Sequence, residues 1–187
     1  RELEESGFIT VLTIFNQKSA KKIYAITDYY TLFYLKFIEQ KGKYEIGDWA
    51  NRIDEPSINA WAGLTFEKIC IQHVQQIKNV LKIGGVSSRS STWANKGNKN
   101  SKGAQLDLII DRRDRVINLC EIKYSINRYT ITKSYDQVLR NKIVTFKEST
   151  KTNKSIYLTM ITTFGLQANE YSRSIVQNEI TMDHLFE

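Results

Sequence analysis

The sequence predicts a mixed α/β fold built on one central sheet, and three observations carry that reading. From Asn59 onward, stretches with helical and with strand spacing follow one another in the order α, β, β, β, α, β, β. Residues 103–111 and 116–124 are apolar strands flanking the charged turn Arg112-Arg113-Asp114-Arg115, the pattern of a β-hairpin. No repeat or low-complexity tract interrupts the series.

The elements are justified in turn. Residues 7–15 and 22–27 are rich in β-branched and aromatic side chains and are separated by Asn16-Gln17-Lys18-Ser19-Ala20-Lys21, which predicts a hairpin with a basic tip. Asp28 is placed to cap a helix over residues 29–41, with Leu32, Phe33, Leu35, Phe37 and Ile38 on a broad apolar face. Residues 42–58 are polar, hold the only proline and read as a connector. A second helix is expected from Asn59 or Ala60 to Lys82. Its stripe is Phe66, Ile69, Cys70, His73, Ile77 and Val80, and Gly84-Gly85 suit a left-handed cap. Glu67 lies on the border of that stripe. Residues 86–94 form a strand ending near Trp93, and residues 95–102 a loop carrying Lys96, Lys99 and Lys102. Beyond the motif hairpin, Thr132 caps a helix to about Phe146, with Tyr135, Val138, Leu139, Ile143 and Phe146 facing inward. Residues 155–163 alternate as a strand, 164–171 form a loop, 173–180 another strand, and Thr181 caps a last short helix.

At 187 residues with 41% hydrophobic content the chain can bury one good core, and residues 59–187 make the main domain. The formal charge of +7 favours a polyanionic partner over an acidic substrate. Cys70 and Cys120 suggest neither a disulfide framework nor a zinc site, which fits a reducing cytoplasm. The longest apolar run is too short to span a membrane, and no signal-peptide pattern is present. Serine hydrolase and dinucleotide signatures are missing, and His73 reads as a core or border residue. The text begins at Arg1 as if mid-element, which reads as a piece of something longer.

The chemistry concentrates in the hairpin. Strand side chains alternate faces, so Glu121 and Lys123 share one side while Cys120, Ile122 and Tyr124 take the other. A hairpin symmetric about Asp114 sets Asp107 directly across from Glu121, with Cβ atoms about 5 Å apart. Two carboxylates that close repel each other, and protonation or a bound cation relieves the repulsion. Oxygen-only ligands favour Mg²⁺ or Mn²⁺. Lys123 can then touch a phosphate or hold the attacking water.

A helix with a glutamate, a strand, a hairpin bearing Asp107 and Glu121-Ile122-Lys123, a helix and a further strand together resemble the restriction-endonuclease-like, or PD-(D/E)XK, nuclease superfamily over residues 60–163. The resemblance implies Asp107 and Glu121 as metal-binding carboxylates, Lys123 as the catalytic lysine, and Glu67 and the Ile122 carbonyl as further metal ligands. It implies Gln137 or Arg140 as residues that steady the site from the following helix. Leu106 stands where the motif's name has proline.

The segments Thr27-Asp28-Tyr29-Tyr30-Thr31-Leu32-Phe33-Tyr34-Leu35, Trp61-Ala62-Gly63-Leu64-Thr65-Phe66-Glu67 and the motif hairpin are also similar to the C-terminal nuclease-like domain of prokaryotic AAA-type ATPases. That likeness implies residues 1–41 as the remnant of a winged-helix wing with a linking helix, 42–58 as a connector, and an ATPase upstream. No Gly-x-x-x-x-Gly-Lys-Ser/Thr phosphate loop occurs here.

Three functional classes remain open at this point. They are a Mg²⁺- or Mn²⁺-dependent DNA endonuclease module with phosphate contacts from Lys96, Lys99, Lys102, Gln137 and Arg140, a catalytically silent module that binds DNA or a protein, and a structural domain with a buried ion cluster.

Overall fold

A computed structural model describes residues 2–15, 22–39, 55–97 and 103–187 of the chain. The expected hairpin tip, residues 42–54 of the connector, and Lys99 and Lys102 lie outside these described residues.

Five strands form one sheet in sequence order: β3 (Ser88–Asn95), β4 (Ala104–Arg112), β5 (Val116–Lys123), β6 (Ser155–Thr162) and β7 (Asn178–Thr181). β3, β4 and β5 pair antiparallel, as hairpin connections require, whereas β5–β6 and β6–β7 pair parallel. Parallel neighbours need crossovers, and α5 (Lys133–Thr150) and α6 (Glu170–Ile175) supply them. The molecule is therefore mixed α/β, with a mixed sheet flanked by helices, as expected. Preceding the sheet are α1 (Glu2–Glu5), the hairpin β1 (Ile9–Thr13) and β2 (Lys22–Ile26), α2 (Tyr29–Phe33), α3 (Pro56–Gln72) and α4 (Val74–Val80).

Alternation along β5 divides the core. Cys120 and Ile122 join Leu108, Ile110 and Ile161 against Phe66 and Cys70 of α3 and Ile77 of α4. Ile117 and Leu119 join Ile109 against Phe146 of α5, and Leu158 and Met160 pack with Leu139. Buried on both faces, the central strands read as near-continuous apolar runs. The N-terminal hairpin is tied to the sheet edge. Ile14 bridges Thr92 in parallel, the Phe15 N–H donates to the Thr92 carbonyl at 2.8 Å, and the Phe15 ring lies 5.1 Å from that of Phe146.

Several expectations are corrected. The helix expected from Asn59 begins at Pro56, because a proline at the first helical position lacks only an N–H that would be unpaired anyway. The single helix expected to Lys82 breaks at His73, whose ψ of 28° departs from the helix and whose Nδ1 lies 2.8 Å from the Ile69 carbonyl oxygen. The left-handed residue after α4 is Lys82 (φ 56°), not Gly84 or Gly85. Its N–H bonds the Asn79 carbonyl, and the Ile83 N–H bonds that of Lys78, the paired reversal that closes a helix C-terminus.

Asp28 caps α2 as expected, accepting from the N–H groups of Tyr30 and Thr31. The helix then widens into a π-type turn over Tyr34–Ile38, which rotates the apolar stripe. Of the five residues expected on one face only Phe37 is buried, its ring 5.2 Å from Phe33, while Leu35 and Ile38 stay exposed. Residues 173–175, expected as strand, are helical. Asn169 and Ser172 form a reciprocal capping box that starts α6, and strand geometry is confined to Asn178–Thr181. Met182, not Thr181, precedes the final 3-10 turn Asp183–Leu185, and the Thr181 N–H instead donates to His184 Nδ1.

Candidate active site

The site grows from the register of β4 and β5. Ile109 faces Leu119 and Leu108 faces Cys120, a symmetric pairing about Asp114 that would set Asp107 across from Glu121 if it ran one residue further. The ladder itself ends at Leu108. On the other side of β4, Ser91 pairs with Ile109 but Trp93 with Leu106, so Thr92 faces two residues, Asp107 and Leu108. Such a bulge kinks the strand and re-aims side chains. Its signature is in the core, where Leu106 and Ile109, three apart, pack together beneath α5 while Leu108 packs beneath α3. With the ladder interrupted, the Ile122 N–H donates to the Asp107 Oδ2 carboxylate oxygen at 3.1 Å.

Glu121 is completely buried in the central strand. A carboxylate there needs opposite charge and hydrogen bonds, because the loss of water otherwise costs several kcal/mol. α5 provides them. Lys142 Nζ lies 2.8 Å from Oε1 and 2.7 Å from Oε2, and the Tyr135 hydroxyl donates to Oε1 at 2.7 Å. Tyr135 and Lys142 are seven residues apart, two helical turns, so both fall on the face turned to Glu121. Lys123 Nζ sits 3.1 Å from Oε1 and packs over the Tyr135 ring, its centroid 5.6 Å away.

The electrostatics follow from this crowding. Burial and then the charge of Glu121 push the Asp107 carboxyl above the usual carboxylate range, although the Ile122 N–H and the two lysines pull it back. Glu67, reaching over from α3, is pushed up to about 7, first by burial and then by Asp107. Burial works against the Lys123 charge, but Glu121 and Asp107 outweigh it and hold its ammonium above the ordinary lysine value. Tyr135 is driven far up by burial and by Glu121, so its hydroxyl keeps the proton that it donates. Burial likewise holds the thiols of Cys70 and Cys120 protonated, which makes both poor nucleophiles.

Glu67, Asp107, Glu121 and Lys123 are thus brought within electrostatic reach of one another from three elements. Ile122 contributes its N–H to Asp107. The flanking residues differ from expectation. Arg140 does not reach the site: it pairs with Asp136 at 2.8 Å and donates to Ser174 Oγ at 2.8 Å, on the outer side of α5. Gln137 is exposed on α5, five residues before Lys142 and well round the helix from it. Val138, expected inside, is 44% exposed. Lys96 is exposed at the end of β3. Lys142 was not among the expected site residues. Its spacing from Tyr135 is the signal that could have found it.

An oxygen-liganded dication needs several converging carboxylates. Among the described residues no group of three or more His, Cys, Asp and Glu side chains is disposed to hold a metal ion. Both oxygens of Glu121 are already taken by lysine ammoniums and a hydroxyl. Asp107 and Glu67 are different. They form an oxygen-only pair whose negative charge is disfavoured by burial and by carboxylate neighbours, and a hard dication relieves that directly. The oxygen donors of Asp107 and Glu67 suit a hard dication such as Mg²⁺ or Mn²⁺.

Among the described residues no helix is long and apolar enough to cross a membrane. No protein family, curated protein or solved structure matches the chain.

Proposed function

We propose that the chain is a restriction-endonuclease-like module that hydrolyses DNA phosphodiester bonds with Mg²⁺ or Mn²⁺, and that it works as the C-terminal part of a AAA-type ATPase with winged-helix and ATPase domains upstream. The observation that carries the chemistry is the meeting of Glu67, Asp107, Glu121 and Lys123 at one end of β4 and β5. The association with an ATPase rests on the sequence likeness alone.

Asp107 and Glu67 would hold the dication, with the Ile122 carbonyl as the further oxygen ligand that the resemblance implies. When bound, the metal lowers the pKa of a water and offsets charge on the scissile phosphate. Lys123, its side chain 30% exposed and its ammonium strongly retained, reaches toward a non-bridging phosphate oxygen. Glu67, its carboxyl pushed up to about 7 by burial and by Asp107, would give up its proton to the incoming dication near neutral pH. Tyr135 and Lys142 keep Glu121 in place beneath Lys123 and so fix where that ammonium sits.

A second reading, a silent module that binds DNA or a protein, is favoured by one observation: Glu121 is already charge-compensated without a metal. Mn²⁺ titration into wild type and Glu121→Gln, followed through the free-ion spin-resonance signal, combined with cleavage assays on single- and double-stranded DNA, separates the two. The nuclease reading expects Mn²⁺ binding, and cleavage that falls by about 100-fold or more in Asp107→Ala and Lys123→Ala. Cleavage undiminished in both variants removes these residues from the mechanism. DNA binding with no metal uptake and no cleavage selects the silent module.

A further inference from the structure

Beside the acidic cluster, between the start of β4 and α5, lies a cavity of about 620 Å³ lined by Gln105, Gln137, Val138, Asn141, Lys142 and Val144, among others. A second, of about 360 Å³, adjoins it and is lined by Tyr129, Thr130, Thr132, Ser134, Tyr135 and Val138. The two share Ser134 and Val138, so they lie side by side as a track of two cavities along α5. Lys142 and Tyr135, which line the track, are the residues whose polar ends hold Glu121. The track and the acidic cluster therefore meet at the same two side chains.

The lining has a definite chemistry. Gln105, Gln137 and Asn141 are exposed carboxamides, and among the described residues none has a hydrogen-bond partner. Each offers both donors and acceptors, the complement of a nucleobase edge. Val138 and Val144 are 44% and 50% exposed and supply apolar wall, while Tyr129 and Tyr135 stand edge to face with centroids 5.7 Å apart at the far end. Apolar walls with a few converging polar groups, in a volume of roughly 300–1,000 Å³, are the usual make-up of a small-ligand site. Among the described residues no carboxylate lines either cavity, and Lys142 stands in the wall of the larger one.

Resting on the nuclease reading of the adjacent cluster, we infer that this track receives unpaired bases of a single DNA strand, one in the carboxamide cavity and its neighbour toward the tyrosines. Bases in a duplex are stacked and paired and reach such a cavity only by flipping out, which costs a few kcal/mol per base. A strand whose bases are already free enters without that cost, and stacking on aromatic rings adds affinity. The substrate of the site is accordingly a single strand or a frayed end, not continuous duplex.

Binding in EDTA tests this separately from cleavage. A fluorescein-labelled 12-nucleotide oligothymidine and a blunt duplex of equal length are titrated with the chain at one salt concentration, followed by anisotropy. The single strand is expected to bind at least about tenfold more tightly, since tenfold corresponds to 1.4 kcal/mol and one avoided flip exceeds it. Gln137→Ala with Asn141→Ala, and separately Val138→Trp, which adds bulk at a wall common to both cavities, are expected to reduce that preference at least fivefold. Equal affinity for duplex and single strand, or a preference unchanged in both variants, overturns the inference. If the preference holds while no cleavage occurs with Mn²⁺, the track stands and the nuclease reading falls. If Mn²⁺-dependent cleavage proceeds with no single-strand preference, the reverse is true.

Discussion

Glu67 sits with its carboxyl at about 7, above its ordinary 4.5, so its proton is held more tightly in the folded chain than in the unfolded one. Stability linked to this group is full below pH 4.5 and is lost as pH rises toward 7, because there the unfolded state releases the proton first. Asp107, raised by burial and by Glu121, acts with the same sign. Glu67→Gln is therefore expected to melt at a higher temperature than wild type at pH 8 and at nearly the same temperature at pH 4.5, as measured by thermal unfolding followed by circular dichroism. An equal difference at both pH values would show that the substitution acts through packing instead of charge.

The same residues mark how far the site is legible in the sequence. The symmetric hairpin about Asp114 is legible from spacing alone, and it brings Asp107 and Glu121 to the same end of the sheet although the paired ladder stops one residue short of them, at Leu108 and Cys120. Lys142 was missed because its partner lies 21 residues away in another element. A lysine outside an apolar stripe looks like any solvated one until the buried carboxylate it must neutralise is located. Arg140 was misjudged for the converse reason: a local partner, Asp136 one turn earlier, captures it.

At the scale of the element, α5 does most to assemble the site. It begins at Thr132, whose hydroxyl oxygen accepts from the Tyr135 N–H at 3.2 Å, and it carries Tyr135 and Lys142 onto Glu121. Thr132→Ala is expected to cost about 1 kcal/mol, read from the urea midpoint at constant slope. An unchanged midpoint would mean that the first turn is held by tertiary packing and not by its cap. Elements with strong periodicity, β4, β5, α5 and β6, were legible for that reason. α6 was not, since its six residues lack a full apolar stripe and depend on the Asn169 and Ser172 side chains. The bulge at Thr92 was not legible either, because it is a property of two strands paired together.

For the whole molecule, the +7 charge makes any DNA complex sensitive to ionic strength. Three neutralised phosphates correspond to roughly 40-fold weaker binding to duplex between 50 and 200 mM salt. A flat response in a salt titration would mean that the phosphate backbone is not engaged. The mixed strand directions carry a kinetic consequence. The β4–β5 hairpin is local in the chain and can close rapidly, whereas the parallel β5–β6 pairing waits on the docking of α5. In the nascent hairpin Asp107 and Glu121 therefore confront each other before Lys142 arrives, and mild acid, by discharging one of them, should hasten the early closure that neutral solution retards.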